Sequence, residues 1–367
     1  MLESYLPGDR HNAKIIWRPA KPATAGQNGR PLAVPIYARE VPRIGNFAPI
    51  FVVGMPRSGT TLLAALLSAH SQLAIGPETA YFDLVWKPLE RGQDLTVWPE
   101  VERVLAAWLE KPSVALMELP VAALLDEWHS AWTNRTLSHR LILARVMETF
   151  AVRQGKVRWG EKTPGHFLFV PAIKGEYPDA QIVYIVRDPR DIHLSLAKVS
   201  WNTGNAFNHA VQWREYQAIC QRYLARYGSS VIVLRYEDLV SDPGPVLQRL
   251  TEQLGLRFEQ SMLSRYREQP LFDLRDEPWK QRVATAIDAA NAGKWRTQLN
   301  RDLLGIFQTL CGSSMRRLGY DFLPGAKFSA TLAVRGLDVH SLMWWGRMVW
   351  RISRGRDPWL GSQADGR

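Results

Sequence analysis

The chain of 367 residues has two cysteines, Cys220 and Cys311, and no C-x-x-C pair. That excludes a disulfide framework and a thiolate zinc site. Both thiols fall in helical segments and read as core residues of a protein in a reducing compartment. No run of about 18 apolar residues occurs, so no membrane-spanning helix is expected. The N-terminus, Met1-Leu2-Glu3-Ser4-Tyr5-Leu6-Pro7-Gly8-Asp9, lacks the basic start and apolar core of a secretory signal. Internal repeats and low-complexity tracts are missing. Acidic residues are outnumbered, 35 Asp and Glu against 46 Lys and Arg, for a net charge of +11. That balance favours an anionic partner, either a polyanionic cofactor or an anionic membrane face. The positive charge is not gathered into a base-reading motif, so no nucleic-acid partner is expected.

What is present starts at residues 48–62, Ala-Pro-Ile-Phe-Val-Val-Gly-Met-Pro-Arg-Ser-Gly-Thr-Thr-Leu. An apolar strand runs into a glycine-bounded loop and the first turn of a helix. Gly54 and Gly59 have the spacing of a phosphate-binding loop, G-x-x-x-x-G-K-[ST]. Thr61 holds the metal-ligand slot, but Thr60 stands where the lysine belongs and the nearest cation is Arg57. Transfer of a γ-phosphoryl group needs Mg²⁺ and a lysine, because charge spreads over three oxygens. A sulfuryl group carries about one fewer negative charge and can be held by amides, hydroxyls and an arginine. Read from the residues alone, a ligand-free strand-to-helix turn stays open.

Apolar strands at 48–53, 157–160, 181–186 and 230–234 alternate with helices at 60–70, from 190 to about 200, at 206–227 and at 244–254. This pattern predicts an α/β fold, a central parallel sheet flanked by helices. Helical periodicity over 84–155, with helices at 97–111, 120–132 and 138–154, reads as a helical insertion that caps a substrate cleft. Residues 1–45 read as an irregular extension, 46–325 as the main domain and 326–367 as a basic, Trp-rich tail. In that tail Trp344, Trp345 and Trp350 interleave with Arg347, Arg351, Arg354 and Arg356. Segment 342–356 is either a peripheral membrane contact or a terminal helix docked on the body. Localisation is expected to be cytoplasmic, with attachment to a membrane face as the variant.

Three motifs occur in order: Pro56-Arg57-Ser58-Gly59-Thr60-Thr61-Leu62, Val186-Arg187-Asp188-Pro189-Arg190-Asp191 followed by Ser195, and Arg235-Tyr236-Glu237-Asp238-Leu239. Together they resemble the sulfotransferases that use 3′-phosphoadenosine 5′-phosphosulfate (PAPS). The stretch Gly76-Pro77-Glu78-Thr79 looks most like the tyrosylprotein and related Golgi-type enzymes. The resemblance implies an O-sulfotransferase that moves a sulfuryl group from PAPS to a hydroxyl of a glycan, lipid, peptide tyrosine or small metabolite. Adenosine 3′,5′-bisphosphate (PAP) would be the product, and no metal would be needed.

The resemblance also assigns roles. Arg57, Ser58, Gly59, Thr60 and Thr61 would hold the 5′-phosphosulfate, and Arg187 with Ser195 the 3′-phosphate. Tyr236 would line the nucleotide, and Lys294 and Trp295 would close over it, Trp295 stacking on the adenine. Glu78 would be the general base, and Lys162, with Arg57, would steady the transferring group. His166 is a minor candidate base. Without the resemblance, Glu78 also reads as a capping carboxylate, Lys162 as a solvated turn lysine, Arg187 as half of an ion pair closing a turn, and Tyr236 as a strand-end aromatic. The alternative functions are a P-loop kinase or other phosphotransferase and a non-catalytic anion- or membrane-binding protein.

Overall fold

The computed structural model describes residues 47–326, apart from 93–94, 203, 269–271, 273–274, 276, 278–279, 282 and 284. The extension expected at 1–45 and the Trp-rich segment at 342–356 lie outside the described residues. Five strands, β1 (Ile50–Gly54), β2 (Leu73–Ile75), β3 (Arg158–Lys162), β4 (Gln181–Val186) and β5 (Val231–Arg235), form one sheet in the order β2-β3-β1-β4-β5. Every neighbouring pair is parallel. The α/β class expected from the strand–helix alternation is therefore the fold.

The central strand shows why the strands read as unbroken apolar runs. All of β1 is buried, since a parallel sheet is covered on both faces. Its side chains alternate between two cores. Phe51 and Val53 join one core, and Ile50 and Val52 the other. The second core is closed by the helices Thr60–Ser68 and Pro243–Gln253, through Leu63, Leu66, Leu67, Leu247 and Leu250. Each such leucine contributes about 1.5–3 kcal/mol on burial. The first and larger core takes the helices Trp98–Leu109, Val121–Thr133 and His139–Arg153 of the insertion, together with Ala206–Tyr227. Trp108, Trp128 and Trp213 are fully buried there. The expected insertion helices are present within two residues of their bounds, and they form a core layer of the domain.

β1 and β5 lie within two residues of their expected bounds, β3 departs at its end, and β2 has no counterpart among the expected strands. β3 begins at Arg158 and runs to Lys162, so it takes in Glu161 and Lys162. Both are charged, so the apolar run ends early, yet both are fully buried beside partners. β2 has three residues, too few for any periodicity to register. Among the described residues no helix is long and apolar enough to cross a membrane.

Because all strands run the same way, their carboxyl ends meet at one edge, where ligands of such sheets bind. Along that edge stand Glu78 beyond β2, Lys162 at the end of β3, the loop 55–59 after β1, Arg187 after β4 and Tyr236 after β5.

Candidate active site

The loop after β1 is shaped by two close approaches. A Cβ on Gly54 would lie 2.6 Å from the Ile185 carbonyl oxygen. Gly59 has φ 105°, and a Cβ there would lie 2.4 Å from the Tyr236 ring. Only glycine meets both demands at residue 59. Arg57 also adopts a left-handed φ, 71°, the kind of strain found at binding loops. Its Nε donates to Ser195 Oγ at 3.1 Å. The Ser58 side chain turns away beneath the loop, buried, with Oγ unpartnered.

A cavity of about 710 Å³ opens over this loop. Arg57, Gly59, Thr60, Thr61, Arg187, Ser195, Tyr236, Lys294 and Glu78 all line it. At the β4–β5 end, Arg187 donates from Nη1 to the Arg57 carbonyl at 3.2 Å and from Nη2 to the Asn291 carbonyl at 2.6 Å. Its guanidinium lies 4.3 Å from the Tyr236 ring centroid, and its buried Nε has no partner. The Tyr236 hydroxyl accepts from Asn291 Nδ2 at 2.7 Å, and Asn291 Oδ1 accepts from Lys294 Nζ at 2.7 Å. Arg187 and Ser195, eight residues apart, are thus tied together through Arg57.

At the β2–β3 end, Lys162 Nζ lies 2.6 Å from Glu78 Oε1 and 3.5 Å from Thr61 Oγ1. Lys280 Nζ reaches the same Glu78 oxygen at 2.9 Å. Burial of the Glu78 carboxyl works against ionisation, but Lys162 and Lys280 outweigh it and hold the group at about 2. Burial also pulls the Lys162 ammonium below its ordinary range, against the attraction of Glu78. Behind this pair Glu161 and His166 are fully buried, with His166 Nδ1 donating to Glu161 Oε2 at 2.8 Å. His166 Nε2 accepts from the Phe82 amide at 3.3 Å. Both imidazole nitrogens are engaged inside the protein, so His166 cannot reach an acceptor.

Trp295 does not meet its expected role. It is 2% exposed and does not line the cavity. The Arg190 guanidinium lies 3.3 Å from its ring centroid and that of Arg296 at 4.6 Å. Its amide donates to Asp191 Oδ1 at 2.9 Å. An aromatic beside cations reads the same in a sequence whether its face is open to a ligand or filled by arginines. Lys280 and Asn291 are site residues that motif reasoning missed. Lys280 sits in a stretch without helical or strand period, where nothing but charge marks it.

The cavity therefore carries a glycine-gated nest at a helix N-terminus, cations along its length, and at one end the Glu78 carboxylate, met by Lys280 in the lining and backed by Lys162, which is fully buried behind it. Residues 49–260, more than half the chain, match the sulfotransferase family. The chain belongs to that family. The chain is 26% identical over 263 residues to an uncharacterised protein of Aquifex aeolicus, covering 68% of this chain but 30% of that one, so it spans about a third of that relative's length. It is 24% identical over 281 residues to a putative protein-tyrosine sulfotransferase of Caenorhabditis briggsae, covering 74% of this chain and 89% of that one. Among solved structures, the sulfotransferase domain of the Synechococcus PCC 7002 olefin synthase superposes with a TM-score of 0.55 at 24% identity, covering 77% of this chain and 99% of that one. That likeness speaks to the fold alone.

Proposed function

We propose that the protein moves a sulfuryl group from PAPS to a hydroxyl of an acceptor, with Glu78 as general base and without a metal ion. The observation that carries this is the pairing of Glu78 with Lys162 at the rim of a loop that lacks the P-loop lysine. The residues fit the donor. Gly54 and Gly59 let the loop lie against Ile185 and Tyr236 with its residues 59–61 facing the cavity, and Arg187 lines the cavity with Nε unsatisfied. PAPS supplies the sulfuryl group and leaves as PAP.

Arg57 and the amides of Gly59, Thr60 and Thr61 would hold the phosphosulfate, and Arg187, with Ser195, the 3′-phosphate. Tyr236 and Lys294 would flank the nucleoside. Lys162 stands within reach of both Thr61 and Glu78. Drawn toward the loop, it would steady charge on the bridging oxygen and relax its hold on Glu78. Glu78 Oε1 takes both lysines, which leaves Oε2 for the acceptor proton. The Lys162 ammonium beside Thr61 also supplies a cation near the slot where a P-loop threonine binds Mg²⁺, which counts against the phosphotransferase alternative.

The name of the C. briggsae relative makes a peptide tyrosine the first acceptor to try, beside glycan, lipid and small-metabolite hydroxyls. The test is calorimetric titration with PAP against ATP, followed by transfer from ³⁵S-labelled PAPS in excess EDTA. PAP binding no tighter than ATP binding overturns the proposal.

A further inference from the structure

The turn that carries Glu78 does not hold itself. Ala80 sits in the left-handed region, φ 51°, which an L-residue resists. Residues 79–82 also open a helical segment, where amides have no partner of their own. Each of these four amides is taken by a side chain. Thr79 N donates to Glu161 Oε1 at 3.3 Å, Ala80 N to Thr163 Oγ1 at 3.1 Å, Tyr81 N to Thr79 Oγ1 at 3.2 Å and Phe82 N to His166 Nε2 at 3.3 Å. The three acceptor groups other than Glu161 are themselves bonded to Glu161. Thr79 Oγ1 donates to Oε1 at 2.8 Å, Thr163 Oγ1 to Oε1 at 2.5 Å and His166 Nδ1 to Oε2 at 2.8 Å. From outside, Trp108 Nε1 bonds the Thr79 carbonyl at 2.8 Å and Ser113 Oγ the Glu78 carbonyl at 2.6 Å.

Glu161 is fully buried, precedes Lys162 in β3, and grips Thr79, the residue after Glu78. One carboxylate therefore joins the two strands' ends that present the base and its cation. We propose that Glu161 is a positioning residue, which fixes the Glu78 carboxylate against the Lys162 ammonium by organising the turn 78–82. This rests on the reading of Glu78 and Lys162 as the transfer pair. It asks Glu161 to stay ionised, since all its contacts are donors. Burial opposes this, but His166 and the two threonines hold the carboxyl below its ordinary value.

The test uses Glu161→Gln in the full chain and needs no acceptor. The groups facing the Glu78 side chain are Lys162 and Lys280, with Glu277 bonded behind Lys280 and Lys111 on the Glu78 carbonyl. The ¹³C-carboxyl titration of Glu78 reads its distance from Lys162. In the variant it should move up by about one unit or more. Hydrogen exchange at Thr79, Ala80, Tyr81 and Phe82 should quicken at least about tenfold, the factor for one lost bond of ~1.4 kcal/mol. Amides of β1 and β4 should keep their wild-type rates, and PAP should bind within about threefold of wild type. A Glu78 titration unchanged from wild type overturns the proposal, as does exchange that rises equally throughout the sheet. If Glu161→Gln does not fold, Thr163→Val is read by the same measurements, with rescue by Thr163→Ser. Failure of the wild-type chain to bind PAP would instead sink the reading of the site as a PAPS site, leaving the Glu78 titration to judge Glu161.

Discussion

Lys280 and Lys162 converge on one oxygen of Glu78, at 2.9 and 2.6 Å. Lys162 comes from the sheet edge. Lys280 comes from the other side of the sequence, where Glu277, Gln281 and residues 285–288 also line the cavity. Two ammoniums on one oxygen explain a carboxyl held at about 2 against its ordinary 4.5. Replacing Lys280 by Met leaves one of them. The Glu78 titration should then move upward, toward but not reaching 4.5, in a ¹³C-carboxyl NMR series. No movement would mean that Lys280 does not charge-pair in solution.

The same depression has a sign for stability. A carboxyl whose folded value lies below its unfolded one stabilises the protein above the unfolded value and loses that contribution as pH falls through the folded one. For Glu78 the window is about 4.5 down to about 2. The contribution at stake is up to about 3 kcal/mol. Urea unfolding at pH 5 and pH 3 should show a steeper loss for wild type than for Glu78→Gln. At pH 7 the variant should be less stable by roughly 3 kcal/mol, because Lys162 and Lys280 lose the carboxylate that pairs with them. Parallel pH slopes would count against the pair.

Gly59→Ala places a methyl group into the Tyr236 ring in a backbone region that alanine resists. Strain of about 1–3 kcal/mol is expected. Relief by rotation of Tyr236 would break its bond to Asn291. Calorimetry should find PAP affinity down at least about tenfold, the equivalent of ~1.4 kcal/mol. Wild-type affinity in this variant would show that the loop and Tyr236 do not share a ligand.

Arg187→Ala removes the cation stacked on Tyr236 and the link to the Arg57 carbonyl. A lost charge-assisted hydrogen bond costs about 1.5–3 kcal/mol. PAP should therefore bind roughly 10- to 100-fold more weakly. Adenosine 5′-monophosphate, which lacks the 3′-phosphate, should lose much less. Equal losses for both ligands would remove Arg187 from the 3′-phosphate.

The sheet was readable in the sequence wherever a strand is apolar along its whole length. β4 matches its expected bounds, 181–186, because all but Gln181 is buried hydrocarbon or aromatic. β3 was cut short because its last two residues are charged, and only tertiary partners justify burying them. The nest was legible because glycine at residue 59 answers a backbone demand that leaves a local trace. Lys280 leaves none, because its contact with Glu78 spans 202 positions and no period leads to it. Trp295 shows the converse limit. Its neighbours Lys294 and Arg296 are as visible as the residue itself, but the arginine that fills its other face, Arg190, belongs to the helix Pro189–Leu196.

The strand order β2-β3-β1-β4-β5 separates the cavity's supports along the chain as well as across the sheet. Trp108 and Ser113, which buttress the Glu78 turn, come from the stretch between β2 and β3. Arg57, Arg187 and Tyr236 follow β1, β4 and β5. Substitution at Trp108 or Ser113 therefore reaches the Glu78 end of the cavity first, and the end held by Arg187 only through the shared core.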